Sequence, residues 1–224
     1  MSTVDQNIIS QYMAVSIPNV SDAFDRLGIE GSTDRILPLF PCQKIVGPAA
    51  TLKLVPFGRA EESTVLGTLR AIMRGERGSV LVIDASENPT VNAYGGVAGA
   101  TSKHRGLVGC VTDGVMRDVD EYKGYGMNCY ARGIAQQSVR GRSSCVGHGI
   151  EVRLSGVRVR PGDLIMADEN GTAVIPQERI LDVLEFAQKV RATEERVIAE
   201  VRRGVDPVAA HEAVQYDNML KRPA

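Results

Sequence analysis

Residues Tyr94–Asp120 read "YGGVAGATSKHRGLVGCVTDGVMRDVD", and two kinds of patterning meet inside this stretch. After the paired Gly95-Gly96 comes a short helical pattern. It is followed by the apolar run "LVGCV", which has strand length and no alternation, as a strand buried on both faces would have. A helix feeding a buried strand is the building unit of an α/β protein. The unit is bracketed by bare backbone at one end and by an adjacent cation and anion, Arg117-Asp118, at the other.

Outward from this unit the same grammar continues. "SVLVID" is a second continuous apolar run and predicts another buried strand. "STVLGTLRAIMRG" sets Val65, Leu66, Leu69, Ile72 and Met73 at helical spacing and stops at Gly75. "KIVGPAATLKLV" predicts a strand bulged at Gly47-Pro48. "SIPNVSDAFDRLGI" predicts a short helix capped by Asn19 or Ser21 and ended by Gly28. Downstream, "RDVDEYKGYG" suits a short helix and "NCYARGIA" a strand. From Cys145 to Ile175 apolar and polar residues alternate between turn residues, which predicts a β-meander with one exposed face. A long helix over Gln177–Arg203 follows, and the tail "DPVAAHEAVQYDNML" can form one more. Without repeats or linkers, residues 1–224 read as one α/β domain with a mixed sheet and a C-terminal helical extension, about 177–224.

Composition narrows the function. With 26 Lys+Arg against 27 Asp+Glu the net charge is −1, which argues against a general nucleic-acid binder or a polybasic membrane surface. No apolar run approaches the roughly 18 residues of a membrane span, and "MSTVDQNIISQYM" lacks the pattern of a signal peptide. The expectation is a soluble cytoplasmic protein. Cys42, Cys110, Cys129 and Cys145 form no C-x-x-C pair, and His104, His148 and His211 lack ligand spacing. Reduced, buried cysteines follow, and any metal would be held by oxygen.

Gly95-Gly96 at a helix start suits backbone approach to an anion, which the free N–H groups and the helix dipole favour; it equally suits a tight strand–helix turn. The pattern is neither G-x-G-x-x-G nor a P-loop. Asp113-Gly114 makes a turn at the carboxyl end of a buried strand, where open α/β sheets bind ligands. Arg117 can hold a carboxylate or enolate with two donors, and Asp118 can hold Mg²⁺ or Mn²⁺, directly or through water. Both could also be surface residues that start a helix. Asp22 is either a first-turn charge or part of a site. In the long helix Ile180, Leu184, Ala187 and Val190 mark one face, and Glu194 continues it, turned either to solvent or to a buried group.

Together, "GGVAG…GLVGCVTDGVMRD" and "RPGDLIMADENGTAVIP" resemble the RraA-like family, which includes the 4-hydroxy-4-methyl-2-oxoglutarate aldolases, class II pyruvate aldolases. The similarity runs over Val15–Ala199. The resemblance implies a β/β/α swivelling-domain-like fold assembled as a homotrimer or a hexamer of paired trimers. It implies that Gly95, Gly96, Val97 and Ala98 bind the pyruvoyl group through backbone N–H groups and that Arg117 binds the substrate. Asp118 would anchor the divalent metal, Mg²⁺ or Mn²⁺. Asp22 and, from a neighbouring subunit, Glu194 would complete its hydrated shell. Such aldolases commonly carry an acid where this chain has Gly96, which alters the proton-carrying water network.

The implied chemistry is cleavage of a 4-hydroxy-2-oxo acid, or decarboxylation of oxaloacetate, to pyruvate through a metal-stabilised enolate. The candidate base is a water within the shell of Asp22, Glu194 and metal. Gly95 would approach Asp113–Asp118 because the helix and the following strand run antiparallel. The rival is a non-catalytic regulator that inhibits an RNA-degrading endonuclease, a role that would not need both Asp22 and Glu194. A menaquinone methyltransferase is disfavoured, since no glycine-rich nucleotide loop is present.

Overall fold

The computed structural model describes residues 4–57, 63–216, 219 and 221. In chain order the elements are α1 (Gln6–Ala14), α2 (Ile17–Leu27), β1 (Leu37–Pro38), β2 (Ile45–Pro56), α3 (Thr64–Arg74), β3 (Val80–Asp84) and β4 (Asn92–Tyr94). Then come α4 (Gly96–Arg105), β5 (Gly109–Thr112), β6 (Val115–Met116), α5 (Val119–Tyr125), β7 (Asn128–Ala131) and β8 (Gly133–Ile134). The last part holds β9 (Ser143–His148), β10 (Val152–Leu154), β11 (Val157–Val159), β12 (Leu164–Asp168), β13 (Gly171–Ile175), α6 (Ile180–Arg202) and α7 (Pro207–Ala213). Among the described residues no helix is long and apolar enough to cross a membrane.

The main sheet runs β1-β7-β5-β3-β2-β12-β13, with β9 also paired to β2. β2, β3, β5 and β7 are mutually parallel, whereas β12, β13, β9 and β1 join antiparallel. The segment before β1 nearly closes the sheet: Val174 donates its N–H to the Gly31 carbonyl at 2.8 Å and Thr33 to Thr172 at 3.2 Å, while β1 pairs with β7 at the far edge. Alternation along each strand then sorts the core. Val80, Val82, Val111, Tyr130, Ile165 and Val174 point inward, where Val152, Leu154 and Val159 of the β10–β11 hairpin join them. Leu52, Leu81, Ile83 and Cys110 point out beneath α3 and α5, and Val46, Leu164 and Met166 point out beneath α1, α2 and α6. Each wholly buried Leu or Ile contributes about 1.5–3 kcal/mol.

Several expectations from the sequence are corrected. α2 is capped by Ser16, in a reciprocal capping box with Asn19, and not by Asn19 or Ser21 alone; Pro18 takes a first-turn place where its missing N–H costs nothing. α1, which was not anticipated, is capped by Asp5. The stretch from Cys145 to Ile175 is not one meander with an exposed face: β9 and β12 both pair with β2, β10–β11 is a separate hairpin, and β12 and β13 are almost wholly buried. In the tail, α7 forms, while Asp217, Asn218 and Leu220 lie outside the described residues.

β2 does not bulge at Gly47-Pro48; its register shifts at Lys53/Leu54 against β9. Ala49 exchanges hydrogen bonds with the β12 side through Asp163 and Gly162, so the neighbouring Pro48 turns its missing N–H toward β3, whose ladder begins only at Ala49. Gly47 is glycine because a Cβ there would stand 2.1 Å from the Gly78 carbonyl oxygen. That atom belongs to the backbone, so it cannot swing away as a side chain could. Gly47→Ala is therefore expected to lower stability by about 1–3 kcal/mol, read as a lower urea midpoint at unchanged slope. A midpoint equal to wild type would contradict this account of the strand.

Candidate active site

Beyond the carboxyl ends of β3, β5 and β7 the chain makes three further short strands, β4, β6 and β8, which pair in parallel as a second sheet. Tyr94 stands opposite Met116. The residues that leave these strands, Gly95-Gly96 and Arg117-Asp118, therefore emerge side by side. The sequence anticipated their proximity, but its cause is this parallel pairing and not an antiparallel helix and strand. The position obeys the general rule that α/β sheets bind ligands outside the carboxyl ends of their strands.

Asp118 begins α5 in the left-handed region, at φ 62°, a conformation costing an L-residue roughly 1 kcal/mol or more. It makes no cap on its own helix. Its carboxylate instead turns to α4, where Oδ2 accepts the Gly96 N–H at 2.7 Å. Gly96 N–H, expected to meet a ligand, is thus already engaged. The next two donors of α4, the N–H groups of Val97 and Ala98, meet no acceptor among the described residues, because the first intrahelical bond runs from Gly99 to Gly95.

Arg117 lies against the same carboxylate, Nε 3.4 Å from Asp118 Oδ2. The guanidinium makes one hydrogen bond among the described residues, a long one from Nη1 to the Gln136 carbonyl at 3.4 Å, and its Nε is buried without a hydrogen-bond partner. A guanidinium with donors to spare at a helix start is equipped for a planar anion. These groups line one cleft, closed on its other sides by Val65, Thr68, Asn92 and the Ser138–Arg140 loop. Asn92 was not singled out in the sequence; its Oδ1 accepts the Val139 N–H at 2.8 Å and pins that loop.

Asp22 and Glu194 do not line this cleft. Asp22 sits in the middle of α2 and Glu194 ends the buried stripe Ile180, Val183, Leu184, Ala187 and Val190 of α6. The two acids face each other across Tyr216, whose hydroxyl is 3.2 Å from Asp22 Oδ2 and 3.1 Å from Glu194 Oε1, while Asn19 Nδ2 donates to Glu194 Oε2 at 2.7 Å. Partial burial raises the Asp22 carboxyl above its ordinary value; the Tyr216 hydrogen bond opposes the shift and Glu194 adds to it. One chain thus carries both acids as a unit, outside the cleft that Arg117 lines.

Among the described residues no three of His, Cys, Asp and Glu converge as metal ligands. A divalent cation at the cleft would rest on Asp118, whose Oδ1 meets no protein donor among the described residues, and otherwise on water. That donor set fits Mg²⁺, which keeps most of its hydration and accepts one or two carboxylates. The cysteines are all thiols, and burial pushes Cys110 and Cys129 further from thiolate.

A family model described as RraA-like, Aldolase/RraA, matches residues 17–174, which include both ends of the cleft. The chain belongs to the RraA-like family. It is 31% identical over 196 residues to a Halalkalibacterium halodurans protein provisionally named 4-hydroxy-4-methyl-2-oxoglutarate aldolase, covering 87% of this chain and 89% of that one. It is 30% identical over 212 residues to Protein DlpA of Legionella pneumophila; the match covers 94% of this chain but spans only 34% of the longer Legionella protein. An uncharacterized protein from Pseudomonas syringae pv. tomato has the same fold at TM-score 0.83 and 26% identity, over 94% of this chain and 100% of that one. The RraA-like fold expected from the sequence, with a mixed sheet and C-terminal helices, is the fold observed, and the sheet is nearly closed.

Beside the cleft, Asp113 is 2% exposed and accepts the Ala85 N–H at 2.7 Å. Burial raises its carboxyl to about 6, and the nearby Asp84 adds to the shift. Unfolded, it titrates near about 4. Between these values the native protein holds a proton that the unfolded chain has released, so stability falls as pH rises from about 4 to 6. Asp113→Asn should remove that slope, and its stability relative to wild type should rise across the window by at most about 3 kcal/mol. Urea titrations at several pH values check this; curves that stay parallel would refute it.

Proposed function

We propose that the chain is a divalent-metal-dependent lyase of the class II pyruvate aldolase type. It would cleave a 4-hydroxy-2-oxo acid such as 4-hydroxy-4-methyl-2-oxoglutarate and decarboxylate oxaloacetate, releasing pyruvate in each case. The observation that carries the reading is the unspent Arg117 guanidinium beside two unengaged α4 N–H groups. The name of the Halalkalibacterium relative supports the same chemistry. A non-catalytic regulator would have no use for a guanidinium left with donors to spare at a helix start.

The Val97 and Ala98 N–H groups take the substrate carboxylate, and Arg117 spans it and the 2-oxo oxygen. As the C–C bond breaks, charge gathers on that oxygen, and Arg117 stabilises it where it develops. A divalent cation held by Asp118 would supply Lewis-acid polarisation of the 2-oxo acid. Asp22 and Glu194 would reach the open side of the cleft from a neighbouring subunit of a trimer or hexamer and there hold water.

Steady-state kinetics test the site. Exhaustive chelation should abolish pyruvate formation, and Mg²⁺ or Mn²⁺ should restore it. Arg117→Lys, which keeps the charge and loses the planar fork, should lower kcat roughly 10²–10³-fold, since the interaction strengthens toward the enolate. A folded variant within threefold of wild type would make Arg117 a surface residue.

Subunit mixing tests the shared site. Arg117→Ala mixed with Glu194→Ala, or with Asp22→Ala, should regain activity in hybrid oligomers. Asp22→Ala mixed with Glu194→Ala should not, because one chain delivers both acids together. Demonstrated subunit exchange without the first recovery would rule the arrangement out.

A further inference from the structure

Three ionisable residues line the cleft: Arg117, Asp118 and Arg140. Asp118 accepts the Gly96 N–H and lies against Arg117. Arg140 stands apart from both. It is exposed, and among the described residues its guanidinium makes no hydrogen bond or ion pair, while its backbone N–H donates to Ser138 Oγ at 3.3 Å. The loop that carries it is fastened to the ligand end of the cleft. Buried Asn92 receives the Val139 N–H on Oδ1 at 2.8 Å, and its Nδ2 lies 3.6 Å from the place a Cβ on Gly95 would take. One side chain thus separates the neighbour of Arg140 from the residue that opens α4. Arg117 touches the approach to the same loop through the Gln136 carbonyl. Past Val139 the chain turns back at once. The Arg142 and Ser143 N–H groups both donate to the Val139 carbonyl at 3.0 Å, and Gly141, at φ 70°, supplies the left-handed residue that such a turn needs. Arg140 is therefore set at the tip of a tight turn on the cleft wall.

With one carboxylate on the Val97 and Ala98 N–H groups and the 2-oxo oxygen on Arg117, the rest of a 2-oxo acid runs toward the other walls. Val65, Thr68 and Leu69 of α3 make one of these and carry no charge. The turn makes the other, and Arg140 is the ionisable residue on it. The cleft as a whole sets two cations and the positive start of α4 against one acid, a balance that favours a dianion over a monoanion.

Resting on the aldolase reading, we infer that Arg140 is a specificity-determining residue that binds the distal carboxylate of the substrate, so that the chain selects 2-oxo diacids over the corresponding monoacids. The guanidinium fork matches a carboxylate with two donors. The two reactions use this contact differently. When 4-hydroxy-4-methyl-2-oxoglutarate is cleaved, the distal carboxylate passes intact into the second product, so the contact is kept throughout and acts as uniform binding. In oxaloacetate the distal carboxylate itself leaves as CO₂ and its charge passes into the enolate, so the contact weakens toward the transition state. Arg140 aids capture in both reactions and speeds bond breaking in neither.

The test compares metal-loaded wild type with Arg140→Gln on 4-hydroxy-4-methyl-2-oxoglutarate, on the monoacid 4-hydroxy-2-oxopentanoate and on oxaloacetate. Equilibrium binding of 2-oxoglutarate and 2-oxobutanoate, a diacid and a monoacid without the 4-hydroxyl that cleavage needs, reads the same contact without turnover. Arg140 is exposed, so the variant should fold, which circular dichroism and a melting curve check. Wild type should favour the hydroxy diacid over the monoacid at least tenfold in kcat/KM, and Arg140→Gln should bring that preference within threefold. The loss should appear as KM raised about 10–100-fold for both diacids, with each kcat within threefold of wild type. Binding should follow: 2-oxoglutarate preferred at least tenfold by wild type and not by the variant. A preference that survives in the folded variant, or losses shared equally by monoacids and diacids, would overturn the assignment and leave the aldolase reading intact. Diacid-selective binding that the variant loses, in a wild type that turns over none of the three substrates, would uphold the assignment and overturn the aldolase reading.

Discussion

Because β4 and β6 run side by side in parallel, with Tyr94 opposite Met116, the chain leaves both strands at the same height, and the contents of the cleft follow from that height. Strands of three and two residues are too short to hold register by themselves. Support comes from outside the ladder. Arg117 N–H returns to the Tyr94 carbonyl, Ala135 N–H to Met116, and the buried Tyr122 hydroxyl also reaches Tyr94. A slip of one residue would send the Arg117 and Asp118 side chains to opposite faces and separate them from α4.

Within that frame electrostatics divide the helix start into two parts. Asp118 answers the first free N–H of α4 and the positive end of its dipole. Without Arg117 the local charge would repel an acid. The guanidinium restores the balance, and its Nε is desolvated without a hydrogen bond. The left-handed backbone at Asp118 is consistent with this division, since a relaxed Asp118 would cap its own helix instead.

The same economy of space governs α4 and α5. Glycines one turn apart, at 96 and 99, let α5 come within contact of the α4 backbone, and two consecutive α5 side chains, Glu121 and Tyr122, fill the room. Tyr122 serves the register, and the Glu121 carboxylate lies against Gly96. The second acidic pair, Asp22 and Glu194, belongs to a different layer, on the helices that cover β12 and β13 beneath a separate part of the core. The C-terminal Tyr216 bridges them, which ties the tail to that pair.

Much of this was legible beforehand wherever the signal is local. "SVLVID" and "LVGCV" are buried strands because continuous apolar runs need cover on both faces, and α3 and α6 follow from their apolar stripes. The adjacency of Arg117 and Asp118, and the bare backbone at Gly95-Gly96, stood in the chain itself. β4, β6 and β8 did not, since two or three residues carry no periodicity. Nor did the pairing of both β9 and β12 with β2, which joins residues at least as far apart in the chain as Pro56 and Ser143. Sequence alone determined which residue types could do the chemistry and on which local elements they ride. Tertiary structure decided which of them meet. It brought Arg117 and Asp118 to one helix start, spent Gly96 N–H on Asp118 and set Asp22 with Glu194 elsewhere, because strand register and helix approach are fixed by contacts between residues far apart in the chain.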